Sequence, residues 1–130
     1  MLVTSIIKIL ASVVAGFCIG YERESSGKSV GTRTISLICL GSTLFCLMSP
    51  TIFNGDNSRV VAQIVSGIGF LGAGIIFKND DGVHGLTTAA TIWATAAIGA
   101  LIGMGYFSEA ALGTVIILMI NMLFKYFKTK

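Results

Sequence analysis

The chain has 130 residues, of which 54% are hydrophobic and 12% charged, with one proline and a net charge of +3. Soluble domains carry about 25% charged residues, so this composition excludes an ordinary soluble domain and leaves no room for a separate one. What matters for such a chain is where its basic residues lie, not their sum.

Residues 2–21 form the first expected membrane span, with Lys8 as its only charge. A secretory signal peptide would need a basic start and a small-residue cleavage site. Neither is present, and Glu22-Arg23-Glu24 follows directly. Gly16 and Gly20 make a G-x-x-x-G pair, the pattern of close helix packing in lipid. A short polar loop leads to Arg33 and a second span over residues 33–49, closed by Pro50. Glu22, Arg23, Glu24 and Arg33 gather where these spans meet. A carboxylate and a guanidinium there can pair through two parallel hydrogen bonds and fix the hairpin. The alternative is that Arg23 and Arg33 reach lipid headgroups and set topology.

The turn cluster Asn54-Gly55-Asp56-Asn57-Ser58 precedes the third span, residues 60–77, which is 18 residues long without a charge. As a helix it reaches roughly 27 Å, near the ~30 Å hydrocarbon core. Gly67, Gly69, Gly72 and Gly74 fall in its second half, which predicts a central helix approached closely on several faces, with Gly72 at a partner contact. Gly67 to Gly72 spells G-x-G-x-x-G, but the strand before it and the acid about 20 residues on that a dinucleotide site requires are missing. Arg59 and Gln63 are spaced i, i+4 and share a helix face.

Asp80 and Asp81 in the next loop are candidate ligands for Mg2+, which commonly uses one or two carboxylates and several waters. Two adjacent carboxylates are a weak signal, and a solvated Asn-Asp-Asp-Gly turn is the favoured reading. His84 is the only histidine, so a multi-histidine metal site within one chain is excluded. Thr87 or Thr88 can cap the alanine-rich fourth span, residues 87–103. Trp93 sits mid-span, away from the interfacial aromatic belt, and is expected to pack on the glycine-lined surface of the third span. Ser108 and Glu109 open the fifth span, residues 108–124, where Asn121 can hydrogen-bond across helices. Cys18, Cys39 and Cys46 lie in apolar stretches without a C-x-x-C motif.

Five spans make a single all-α bundle with termini on opposite sides. Arg23, Lys28, Arg33, Lys78, Lys125, Lys128 and Lys130 fall on one side, and Lys8 and Arg59 on the other. The seven-to-two bias places the N-terminus outside and the C-terminus in the cytoplasm. No nucleophile–base–acid set is evident, and neither enzymatic activity nor a nucleic-acid partner is expected. Contact with membrane lipid follows from the spans. A homo-oligomer, simplest as a dimer, is expected through Gly16/Gly20 or Gly99/Gly103.

Four blocks carry a further signal: Gly20-Tyr21-Glu22-Arg23-Glu24, Gly31-Thr32-Arg33-Thr34, the run from Arg59 to Gly74, and Gly85-Leu86-Thr87-Thr88-Ala89-Ala90-Thr91-Ile92-Trp93. Their order and spacing closely resemble the MgtC/SapB family. The resemblance implies a bacterial inner-membrane protein of about five spans, linked to magnesium homeostasis and, in pathogens, to virulence and survival inside host cells. It implies regulation of other membrane proteins, in some members the membrane sector of ATP synthase. Carried over by motif, the residues of interest are Glu22, Arg23, Arg33, Arg59, Gln63, Thr87, Thr88 and Trp93. Two departures from the family stand out. The chain stops at Lys130, where many members continue into a cytoplasmic domain. It also has Thr87 and Ala94 where some virulence members have asparagine and cysteine, which puts the ATP-synthase partner in doubt. A small oligomeric ion channel or magnesium transporter is the alternative function, because glycine-broken helices build binding sites in transporters.

Overall fold

A computed structural model describes residues 1–52, 54 and 56–127. Gly55 of the expected turn, and Lys128 and Lys130 of the charge count, lie outside the described residues. Five helices follow in order: α1 (Leu2–Ser25), α2 (Thr32–Ile52), α3 (Ser58–Ala73), α4 (Leu86–Gly103) and α5 (Phe107–Phe127). Two short strands, β1 (Phe77–Asn79) and β2 (Gly82–His84), separate α3 from α4. Among the described residues, α1, α2, α4 and α5 are long and apolar enough to cross a membrane. With 16 residues, α3 reaches only about 24 Å.

The third span therefore ends at Ala73 and not at residue 77. Gly72 and Gly74 weaken the helix there, and the chain closes into tight turns, Ile75 N–H to Gly72 O at 3.1 Å and Ile76 N–H to Ala73 O at 3.3 Å. Phe77 then pairs with His84 in an antiparallel hairpin. Asn79 Oδ1 accepts the Asp81 N–H at 2.9 Å, an Asx-type turn, and Gly82 takes the positive φ of 124° that the turn requires.

The central helix is α4, which packs against each of the other four helices. This corrects the expectation for the third span. Small residues line the faces of α4 that meet its neighbours, so Thr88, Ala89, Thr95, Ala96, Gly99 and Gly103 are all buried and neighbours approach its backbone closely, while Ala90, Trp93 and Ala97 make an exposed face. The third span has glycines but few buried positions; Gly72 alone is buried.

Two glycine seams clamp α2. On the α1 side, a Cβ at Gly16 would lie 2.7 Å from Ser36 Cα, and one at Gly20 would lie 2.7 Å from Thr32 Cα. On the α4 side, a Cβ at Gly99 would run into the Cys39 carbonyl oxygen, and one at Gly103 would lie 2.6 Å from Cys46 Cβ. Thr43 Oγ1 completes the second seam by donating to Gly99 O at 2.7 Å. Both pairs expected to serve a dimer are therefore used up inside the protomer. Other buried hydroxyls donate within their own helices, as in Thr95 Oγ1 to Thr91 O at 2.7 Å and Thr114 Oγ1 to Ala110 O at 2.8 Å. Asn121 Nδ2 donates to Thr91 Oγ1 at 3.1 Å and ties α5 to α4, as its position in the fifth span predicts.

Candidate functional site

The polar residues singled out above separate into a charged cluster at the α1 C-terminus and a wall of the α2–α3 groove. The cluster begins with Glu22 and Arg23, adjacent on the last turns of α1 and both buried. Arg23 Nε donates to Glu22 Oε1 at 2.9 Å and Nη2 to Oε2 at 3.1 Å. The geometry is bidentate, but the pair forms between neighbours within α1 and does not fix the α1–α2 hairpin as the sequence led one to expect. Ser26 Oγ donates to Glu22 Oε2 at 2.9 Å, and Lys125 Nζ of α5 donates to Ser26 Oγ at 3.1 Å. The network thus links the ends of α1 and α5. Ser26 and Lys125 were not legible as members, because 99 residues separate them. The other terminal nitrogen of Arg23, Nη1, is buried without a partner.

Arg33 does not join this pair. It is exposed at the start of α2, while Glu22 pairs with Arg23. Glu24 instead caps α2: its Oε1 accepts the Thr32 N–H at 3.0 Å, satisfying a helix-terminal donor. Thr87 and Thr88 do not cap α4. Gly85 holds the N-cap position at φ 85°, where a Cβ would strike the Ile75 carbonyl oxygen. Thr88 is buried in the first turn of α4 and Thr87 is exposed.

Arg59 and Gln63 do share a face. Both line a groove of about 1120 Å3 between α2 and α3, together with Thr34, Phe45, Gly67 and Leu71. Trp93 is 56% exposed. It lines a second groove, of about 350 Å3, between α3 and α4, against Val61, Ile64, Val65 and Ile68. It therefore faces branched side chains and not the glycines. Gly67 and Gly69 have open space where a Cβ would stand, and a Cβ at Gly72 would lie 3.6 Å from Ala89 Cβ, at ordinary contact distance. Asp80 and Asp81 are exposed on the hairpin turn. No group of three or more His, Cys, Asp or Glu fit for a metal occurs among the described residues. His84 stacks on Phe77, with ring centroids 5.1 Å apart.

These features define a small polytopic membrane protein: a helix bundle clamped by glycine seams, with one buried ion pair near the end of α1 and membrane-facing grooves beside α3. The model of the MgtC family matches residues 9–130, and the chain belongs to that family. It is 45% identical over 120 residues to Protein MgtC of Salmonella typhimurium strain LT2, covering 92% of this chain and 52% of that protein. Protein MgtC of Brucella abortus strain 2308 is 47% identical over 119 residues, covering 90% of this chain and 50% of that protein. The chain thus spans about half the length of these relatives. No solved structure matches it.

Proposed function

We propose that this chain is a non-enzymatic module of the bacterial inner membrane. In this reading it serves magnesium homeostasis and low-magnesium adaptation by holding another membrane protein through helix–helix contact. Its N-terminus lies outside and its C-terminus in the cytoplasm, the side favoured by the basic residues. The family membership and the name MgtC of its relatives support the magnesium link.

One observation carries the contact surface. Ser66, Gly69 and Ala73 lie at i, i+3 and i+7 on α3, all exposed and lining neither groove. Gly16, Gly20, Gly99 and Gly103 are consumed by packing inside the protomer, whereas a Cβ at Gly69 meets nothing within 4 Å. A stripe of small residues left open to lipid lets a partner helix approach its backbone. Gly72, one turn on from Gly69, faces Ala89 of α4 within the same protomer, so Gly72→Leu would disturb this fold and not a partner. The informative variant is Gly69→Leu, tested by cross-linking in native membranes. A conductor is the weaker reading: the described spans hold one internal carboxylate, Glu22, and Arg23 already engages it.

A further inference from the structure

Helices α3 and α4 run antiparallel side by side, and their levels in the membrane are fixed to each other where Gly72 faces Ala89. One side of this pair belongs to α2. Gly99 and Gly103 of α4 grip it, and Gly67 of α3 faces it across the larger groove. At about 100° per residue, Gly69 lies about 160° round α3 from Gly67, and Ala97 lies about 160° round α4 from Gly99. The exposed residues Ser66, Gly69 and Ala73 of α3 and Ala90, Trp93 and Ala97 of α4 therefore turn the same way, away from α2. Together they make one two-helix surface that carries no charge.

Trp93 is the residue of this surface that contact with lipid does not explain. Tryptophan in membrane proteins gathers at the two interfaces, where its N–H meets water. Trp93 instead stands about 10 Å along α4 from Leu86, in the interior of the span and more than half exposed. Large aromatic side chains left open in this way are typical of protein interfaces. The levels of the two helices select what covers it. Measured from the Gly72–Ala89 contact toward the Ser58 end of α3, Gly69 stands about 4.5 Å along α3 and Trp93 about 6 Å along α4. The largest side chain of the surface and its one glycine thus lie at nearly the same level. A two-fold axis along the membrane normal keeps every residue at its own level and makes each contact twice. It lays α3 of each copy on α4 of the other. Trp93 of one copy then enters the open position at Gly69 of the other as a knob enters a hole, and Ala73 approaches Ala90, small face to small face. A second copy carries both halves of this fit.

We propose that the shared face of α3 and α4 is a two-fold interface between two copies of this chain, with α3 of each packed on α4 of the other. This rests on the reading of the Gly69 face as a contact surface and names its occupant. It also gives the dimer a contact that the Gly16/Gly20 and Gly99/Gly103 pairs, spent inside the protomer, do not provide.

The test expresses two full chains with different affinity tags in one bacterial membrane. Both carry Cys18→Ser, since Cys18 is exposed whereas Cys39 and Cys46 are buried. One chain also carries Ala73→Cys and the other Ala90→Cys, and a membrane-permeant oxidant is added. A disulfide requires Cα atoms within about 7 Å, so a cross-linked species bearing both tags is expected. It should be lost when Gly69→Leu is added to the first chain or Trp93→Ala to the second, with circular dichroism of the purified variants showing unchanged helix content. Met122→Cys in place of Ala90→Cys puts the thiol on the exposed face of α5 at about the level of Ala90, as the Asn121–Thr91 bond fixes it; this control should not cross-link. No doubly tagged species, cross-linking undiminished by Gly69→Leu, or equal cross-linking by the Met122→Cys control overturns the proposal. The two readings fail separately. A photo-cross-linker at Ser66 that captures a protein of different mass, without the doubly tagged species, removes the second copy but keeps the Gly69 face as a contact surface; no adduct of either kind removes both.

Discussion

The glycine seam between α1 and α2 makes a quantitative prediction. In Gly16→Ala, the new methyl lies 2.7 Å from Ser36 Cα, 3.0 Å from Cys39 Cβ and 3.2 Å from Ile35 O. Carbon atoms are most stable about 3.5–4.0 Å apart, so α2 must retreat by about 1 Å. The atom it meets first belongs to backbone, and no rotamer change relieves it. A gap of 0.5–1 Å elsewhere along the seam forfeits roughly a quarter to a half of each contact's attraction. Overpacking of this kind costs about 1–3 kcal/mol. Gly67→Ala is the matched control: the same methyl meets nothing within 4 Å, and replacing a mid-helix glycine gains up to about 1 kcal/mol of propensity. Unfolding both variants by sodium dodecyl sulfate in mixed micelles, followed by far-ultraviolet circular dichroism, separates them. Gly16→Ala should unfold at a lower detergent fraction than the wild type, and Gly67→Ala at an equal or higher one. Coincident transitions for the two variants would refute the seam.

Two further outcomes follow from the polar groups. Arg23→Leu leaves the Glu22 carboxylate buried without its guanidinium, which costs about 3–5 kcal/mol for a buried pair; the Ser26 bond and nearby Lys125 place the effect at the lower end. The double variant Glu22→Gln, Arg23→Leu should recover part of this loss in the same unfolding assay, and no recovery would contradict the pairing. At the opposite end, the bonds from the Ser58 Oγ and N–H, at 2.6 and 3.0 Å, with the attraction of Arg59, hold the Asp56 carboxyl below the ordinary aspartate range. A lowered folded pKa contributes stability that is complete above the ordinary value, about 4, and lost as pH falls through the lowered one. Amide exchange at the start of α3 should therefore, once corrected for intrinsic rates, accelerate only below about pH 4, and Asp56→Ala should remove that pH dependence.

The helices were legible because long apolar runs with few charges have one stable form in lipid. Glycines were legible as close-packing positions, but sequence does not say which neighbour approaches. The G-x-x-x-G pairs Gly16/Gly20 and Gly99/Gly103 clamp α2 within one protomer, while Gly69, outside any such pair, remains open; the spacing marks a packing face but not whether its neighbour belongs to the same protomer. The end of α3 was hidden because Ile75, Ile76 and Phe77 continue its apolar pattern, although the Asn79–Gly82 turn signal stood just beyond. Glu22, Arg23, Glu24 and Arg33 were legible as a polar set at the α1–α2 end; which of them pair was not, since it depends on where α2 meets α1. The α2–α3 groove is a property of side chains that fail to meet, which no single stretch encodes.

The central claim is that the open small-residue face of α3 is the working surface of this protein. A photo-cross-linking residue placed at Ser66, in wild-type and Gly69→Leu backgrounds, tests it in native bacterial membranes at low magnesium. The account predicts a discrete cross-linked membrane protein that disappears in Gly69→Leu while insertion and helix content stay unchanged. The same cross-link persisting in Gly69→Leu, or its absence from the wild type, would contradict it.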